Sequence, residues 1–310
     1  MELSLVLLTK MLSMVFWCAA GFIIVKAGLL KTPDSRVLSV LIIHLMTPSL
    51  LIRCFQIDLT PDRIFGLAGG ILFGFAVHIV WILLMRLTAG PLKLSPTDQA
   101  TLVFTNSGHL IMPLVSMIFG DDYLFYTAGY LVSFNVFIWS YGISLISGTR
   151  GINFRKILTN SNIISMIIGM VLMLTGIRLP EVLDTSLAGL QGMVGPASMI
   201  VIGMVMAGAD FRQIITNPKA WMIAAGRLLI LPVIIILLLK VSRIFIIAPQ
   251  LKDPFLISMF AVSAPPASMV TQIAIVYGGD SVSAGTYNVL ATCLSLLTMP
   301  LMVLVYQSVF

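Results

Sequence analysis

Stretches of about twenty apolar residues, the length a helix needs to cross a bilayer, follow one another along this chain. They occupy residues 5–29, 36–55, 64–88, 98–119, 123–147, 161–178, 185–208, 218–242, 254–277 and 281–307. The connections between them are short, the longest being 148–160 and 243–253, and none can hold a soluble domain. A chain of this kind has to fold in a solvent that accepts apolar surface. Composition agrees: 59% of the 310 residues are hydrophobic and 10% charged, against about a quarter charged in soluble domains. The reading is an all-α integral membrane protein with ten transmembrane helices.

The first run is expected to stay as a membrane helix rather than be cleaved as a signal peptide. Glu2 stands where a basic region should be, and no small-residue cleavage site follows. The net charge of +6 is spread over short loops and does not form the basic stripe of a nucleic-acid binder. Cys18, Cys54 and Cys293 are far apart, and neither they nor the three histidines show ligand spacing, so no metal and no cofactor are expected. Lys and Arg gather on inner loops. With the amino terminus outside, Lys26, Lys31, Arg36, Arg86, Lys93, Arg150, Arg155, Lys156, Arg212 and Lys219 fall inside, and Arg53, Arg63, Arg178, Lys240, Arg243 and Lys252 outside. Ten against six places both termini outside.

A shift of 148 residues superimposes Gly21 on Gly169, Gly28 on Gly176, Pro48 on Pro196 and Asp62 on Asp210. Such repeats are common in carriers. Five helices per copy make the second copy enter from the opposite face, so residues 1–147 and 161–310 are read as inverted repeats. The fourth run contains TNSGHLIMP (Thr105 to Pro113), and the ninth contains APPASMVTQ (Ala264 to Gln272). Proline removes an N–H and clashes with the preceding turn. Each segment is therefore expected to break in mid-membrane, at Pro113 in one and at Pro265 and Pro266 in the other. Hydrocarbon cannot satisfy the freed backbone groups, so the two breaks should meet at a solute site.

In order and spacing, several stretches resemble the auxin efflux carrier family, which comprises bacterial permeases and plant auxin carriers. They are GFIIVKAGLL, LIIHLMTPSLLI, the Asn106 to Pro113 pair, GPASMIVIGMVMAG, GRLLILP, APPASMVTQIAIVYGGD and LATCLSLLTMPL. The resemblance implies a fold like that of sodium/bile-acid symporters and sodium/proton antiporters, with broken fourth and ninth helices crossing. Helices 1, 2, 6 and 7 would form a scaffold, commonly the homodimer contact. Helices 3–5 and 8–10 would form a transport domain moving as an elevator, carrying small organic anions such as auxins, malate or malonate. The long cytosolic loop of plant members is absent, which points to a bacterial inner-membrane protein. Thr271 stands where plant members have a further proline.

On this reading Asn106, Ser107, His109, Ser268, Thr271, Gln272 and Arg227 bind substrate, while Gly108, Pro113, Pro265 and Pro266 build the crossover. Asn106 offers both donor and acceptor. His109 is the titratable group in the break and suits a proton switch; packing is its ordinary alternative. Arg227 either balances an anion's charge or snorkels to the inner surface. No Asp or Glu is read in the middle of a helix, as a carboxylate-coupled carrier would need. The function expected is secondary transport rather than enzymatic turnover, since no nucleophile turn or acidic metal cluster appears. An anion channel and an ion-coupled symporter or antiporter of the same fold are the alternatives.

Overall fold

The computed structural model describes residues 2–148 and 159–310. Arg150, Arg155 and Lys156, counted on the inner side, lie outside the described residues. The described chain is helical. Its segments are α1 (Glu2–Lys26), α2 (Thr32–Arg53), α3 (Pro61–Thr88), α4a (Pro96–Val103), α4b (Ser107–Phe119) and α5 (Asp121–Ser147). They continue with α6 (Ser161–Thr175), α7 (Glu181–Ala207), α8 (Pro218–Ser242), α9a (Lys252–Val262), α9b (Ser268–Tyr277) and α10 (Ser281–Val309). Short helices Phe211–Thr216 and Ile244–Ile247 lead into α8 and α9a.

Among the described residues α2, α3, α5, α7, α8 and α10 are long and apolar enough to cross a membrane. The outer faces of the bundle carry large apolar side chains in the open. Phe16, Leu72, Leu87, Val182, Val241 and Leu297 are all at least 70% exposed. Water would not tolerate so much apolar surface around a finished core, whereas lipid does. The chain is a multi-pass membrane protein.

Helix starts are written in the sequence. Ser95 and Asp98 form a reciprocal capping box at α4a, and Asn160, Asn217 and Asp280 each accept a backbone N–H at α6, α8 and α10. Each satisfies donors that a helix start leaves open. Prolines at positions 61, 96 and 218 occupy first turns, where the missing N–H costs nothing.

Interior prolines act differently. π turns at Ile42–Met46, Ser107–Ile111 and Gly226–Ile230 each end two residues before a proline: Pro48, Pro113 and Pro232. Widening one turn moves the preceding carbonyl away from the ring while the chain stays helical. Pro113 is therefore not where α4 breaks, which corrects the expectation from sequence. It lies in the second position of Met112–Phe119, against Gly195 of α7. The break falls upstream, at Phe104–Asn106.

α1 and α7 touch backbone to backbone. A Cβ on Gly203 would sit 1.9 Å from the Cys18 carbonyl oxygen, and one on Gly21 would sit 2.1 Å from that of Ile200. Small residues of this kind let membrane helices approach closely. Gly169 of α6 plays a related part against Leu51 of α2 and Phe55 just after it. Gly28 and Gly176, the pair matched at the 148-residue shift, follow α1 and α6 with φ of +75° and +69°.

Candidate crossover site

The breaks in α4 and α9 lie against each other. Phe104 leaves the helix in an extended conformation, and Thr105 pairs with Pro266 as an antiparallel bridge. The Asn106 N–H donates to the Pro265 carbonyl at 2.8 Å, and the Ala267 N–H to the Phe104 carbonyl at 2.9 Å. Each strand thus supplies the partner that the other lost on leaving its helix. Prolines 265 and 266 keep the second stretch extended because neither can donate to a helical ladder. The Asn288 amide on α10 takes the Pro266 carbonyl at 2.8 Å.

Four helix ends converge here. The carboxyl ends of α4a and α9a meet at Arg227 of α8. Its Nη1 donates to the Leu102 carbonyl at 2.9 Å, its Nε to that of Ala264 at 3.1 Å, and its Nη2 to that of Val262. The guanidinium is fully buried, 4.2 Å from the centre of the Trp81 ring. A cation is favourable at two helix carboxyl ends, and a planar fork matches three spread acceptors where a lysine could not. Arg227 neither snorkels nor reaches the cavity.

The amino ends of α4b and α9b face the other way, onto a small cavity of about 30 Å³. Asn106, Gly108, His109 and Ser268 line it, together with Thr47, Thr105, Asn135 and Asn162. Ser107 is buried and outside the lining. Thr271 lies a turn along α9b beside Gly285 of α10, outside the lining. The side chain of Gln272 lies outside the described residues. Pro265 and Pro266 form the crossing, with Gly108 one turn from it.

Three lining groups went unnoticed in the sequence: Thr47 on α2, Asn135 on α5 and Asn162 on α6. Asn135 carried a signal, being a lone amide amid apolar residues in the fifth run. Asn162 was hidden because its helix starts just before it, behind the Asn160 cap. Thr47 Oγ1, Asn135 Oδ1 and Asn162 Oδ1 are buried and have no hydrogen-bond partner among the described residues.

A second, larger cavity of about 380 Å³ lies at the far end of α2. Arg53 bonds Asp184 at 2.8 Å and Gln191 at 2.7 Å, both on α7, and pairs with Asp121 at the start of α5 at 3.6 Å. At the opposite end of the bundle, Lys219 pairs at 2.6 Å with Asp98, a carboxylate 1% exposed. The sequence reading overlooked Asp98 as a buried charge; it sits in the first turn of α4a.

Interrupted helices that meet beside a polar cavity inside an apolar bundle are an arrangement that membrane transport proteins use. A family model described as membrane transport protein matches residues 149–303, half of the chain, and the chain belongs to the auxin efflux carrier family. No curated protein matches it.

Proposed function

We propose that this chain is a secondary transporter of small organic anions, with the solute bound at the α4/α9 crossing by alternating access. The observation carrying this reading is the placing of two half-helix amino ends, from α4b and α9b, at one polar cavity. Such ends carry partial positive charge and open N–H groups, and they attract carboxylates. Asn106 and Ser268 stand at those ends and bind the anion. Arg227, saturated by carbonyls, supports the frame and acts on the solute through its fixed charge alone.

The present cavity holds about one water, whereas ligand pockets run to several hundred Å³. The solute therefore enters after a conformational change, which favours a carrier over an open channel. In our reading ten spans form two inverted repeats. α1, α2, α6 and α7 make the scaffold and dimer contact, and α3–α5 with α8–α10 move as an elevator. The glycines at 28 and 176, and the paired contacts of Gly21 with α7 and Gly169 with α2, support the repeat. The protein would sit in a bacterial inner membrane with both termini outside. Export of a monoanion gains about 2.3 kcal/mol per 100 mV from a negative interior, so no coupling ion is needed in that direction.

Asn106→Ala tests the site. In proteoliposomes it is expected to abolish saturable counterflow of carboxylates while leaving the thermal melt within a few degrees of wild type. Unchanged counterflow would remove the crossing from the transport path.

A further inference from the structure

The walls of the crossing cavity differ in chemistry. On one side are the amino ends of α4b and α9b. The cap residues Asn106 and Ala267 make no side-chain cap bond there. That side offers hydrogen-bond donors and positive potential. Elsewhere in the lining are residues with bare acceptors. Asn135 is 4% exposed, and its Nδ2 donates to the Leu131 carbonyl at 2.9 Å, one turn back in α5. Its amide is thereby oriented, leaving a buried Oδ1 with no partner among the described residues, on a residue that lines the cavity. Asn162, 6% exposed on α6, also lines the cavity and carries a second buried Oδ1 with no partner among the described residues.

A plain carboxylate bound at the helix ends has only acceptors to offer, so these amide oxygens would stay unsatisfied. A fully ionised dicarboxylate is worse, because its second carboxylate would face them with like partial charge. A hydroxyl next to the carboxylate repairs the mismatch by donating its proton. We propose that Asn135 makes the cavity selective for organic anions that also carry a hydrogen-bond donor, most simply hydroxycarboxylates, over plain carboxylates. The inference rests on the reading of this cavity as the solute site. Asn135 lies on the helix packed against the α4 break, where Leu131 approaches Gly108. It keeps its place beside Asn106 if that unit moves. Asn162 and Thr47, on α6 and α2, would meet the solute on one side of the membrane only.

The test uses matched pairs: glycolate with acetate, lactate with propionate, and 2-hydroxysuccinate with succinate. Affinities are measured on the purified full-length protein by thermal shift, at pH 7.5 where the carboxyls are ionised. The hydroxylated member of each pair is expected to bind on the order of ten- to a hundredfold tighter, because its absence leaves a buried acceptor unmet. In Asn135→Leu that ratio should fall toward one. Asn135→Thr, which keeps a hydroxyl acceptor on a shorter side chain, should give an intermediate ratio and serves if the leucine variant does not fold. Equal affinities within pairs in the wild type would overturn the selectivity and leave the anion site standing. A preserved ratio in both variants would take it away from Asn135. Binding of neither member in any pair would overturn the anion site, and the selectivity with it.

Discussion

Arg227 spends its side chain entirely on main-chain oxygens. Leu102 and Val262 belong to two different half-helices, and Ala264 follows the second of them. Charge-assisted bonds contribute about 1.5–3 kcal/mol each. Arg227→Met is expected to destabilise by more than about 3 kcal/mol on that basis, lowering the melting temperature in detergent by many degrees. Arg227→Lys should recover only part of this, since one ammonium cannot span three acceptors held in a plane. Equal melts for arginine and methionine would refute the clamp. The sequence showed a charge in mid-membrane but not its direction. Both readings given to it looked outward, to water or to solute, whereas the acceptors are carbonyls of distant segments. Pro113 taught a related lesson. Proline marks a lost N–H, but whether the chain breaks or widens by one residue depends on what packs around it, and here Gly195 leaves room. Two successive prolines at 265 and 266 left no such choice, which is why the ninth-helix break was legible and the fourth was misplaced.

At the scale of elements, the caps were readable because they depend on residues a few positions apart. Ser95 with Asp98 is one example and Asp280 with Ser283 another. The tertiary use of the same groups was not. Asp98 caps α4a and also receives Lys219 from the start of α8. Removing one partner of a buried pair costs about 3–5 kcal/mol, but Lys219 is 39% exposed, and solvent screening reduces that. Lys219→Met should therefore lower stability by about 1–2 kcal/mol, and adding Asp98→Asn should recover most of it. Additive losses in the double variant would deny the coupling. Asp280 gives an acid signature. Its hydrogen bonds to the Ser283 hydroxyl and N–H hold its carboxyl below the usual carboxylate range. A group with a lowered folded pKa adds stability above its unfolded value, about 3.9, and loses it as pH falls through the folded one. Between pH 5 and 2 the wild type should lose slightly more stability than Asp280→Asn, which keeps the cap as a neutral amide. Parallel melting curves for the two would contradict this.

For the molecule as a whole, Arg53 joins parts that the proposed mechanism separates. It bonds α7 through Asp184 and Gln191 and reaches Asp121 at the start of α5. If α5 moves against α2 and α7, this contact breaks once per cycle. Cysteines in place of Arg53 and Asp121, in a chain with Cys18, Cys54 and Cys293 replaced by serine, should stop counterflow when joined by a short bis-maleimide. Each single-cysteine chain treated alike should keep it. Full counterflow after cross-linking would rule out that relative motion. The number and length of the apolar runs announced the membrane, because lipid sets helix length directly. The partners of α4a among α8 and α10 could not be read from length, since they depend on pairing between segments more than a hundred residues apart.

The clamp at the crossing has a consequence for how such a protein changes its cargo. Among the described residues, the hydrogen bonds that hold the two interrupted helices together there end on main-chain oxygens, and such atoms are the same whatever side chain the position carries. The cavity walls can be rewritten residue by residue without loosening the frame behind them. On the proposed reading of this cavity as the solute site, descendants of this chain could thus acquire new solutes through substitutions at Thr47, Asn135 or Asn162 while keeping one arginine and its three carbonyls.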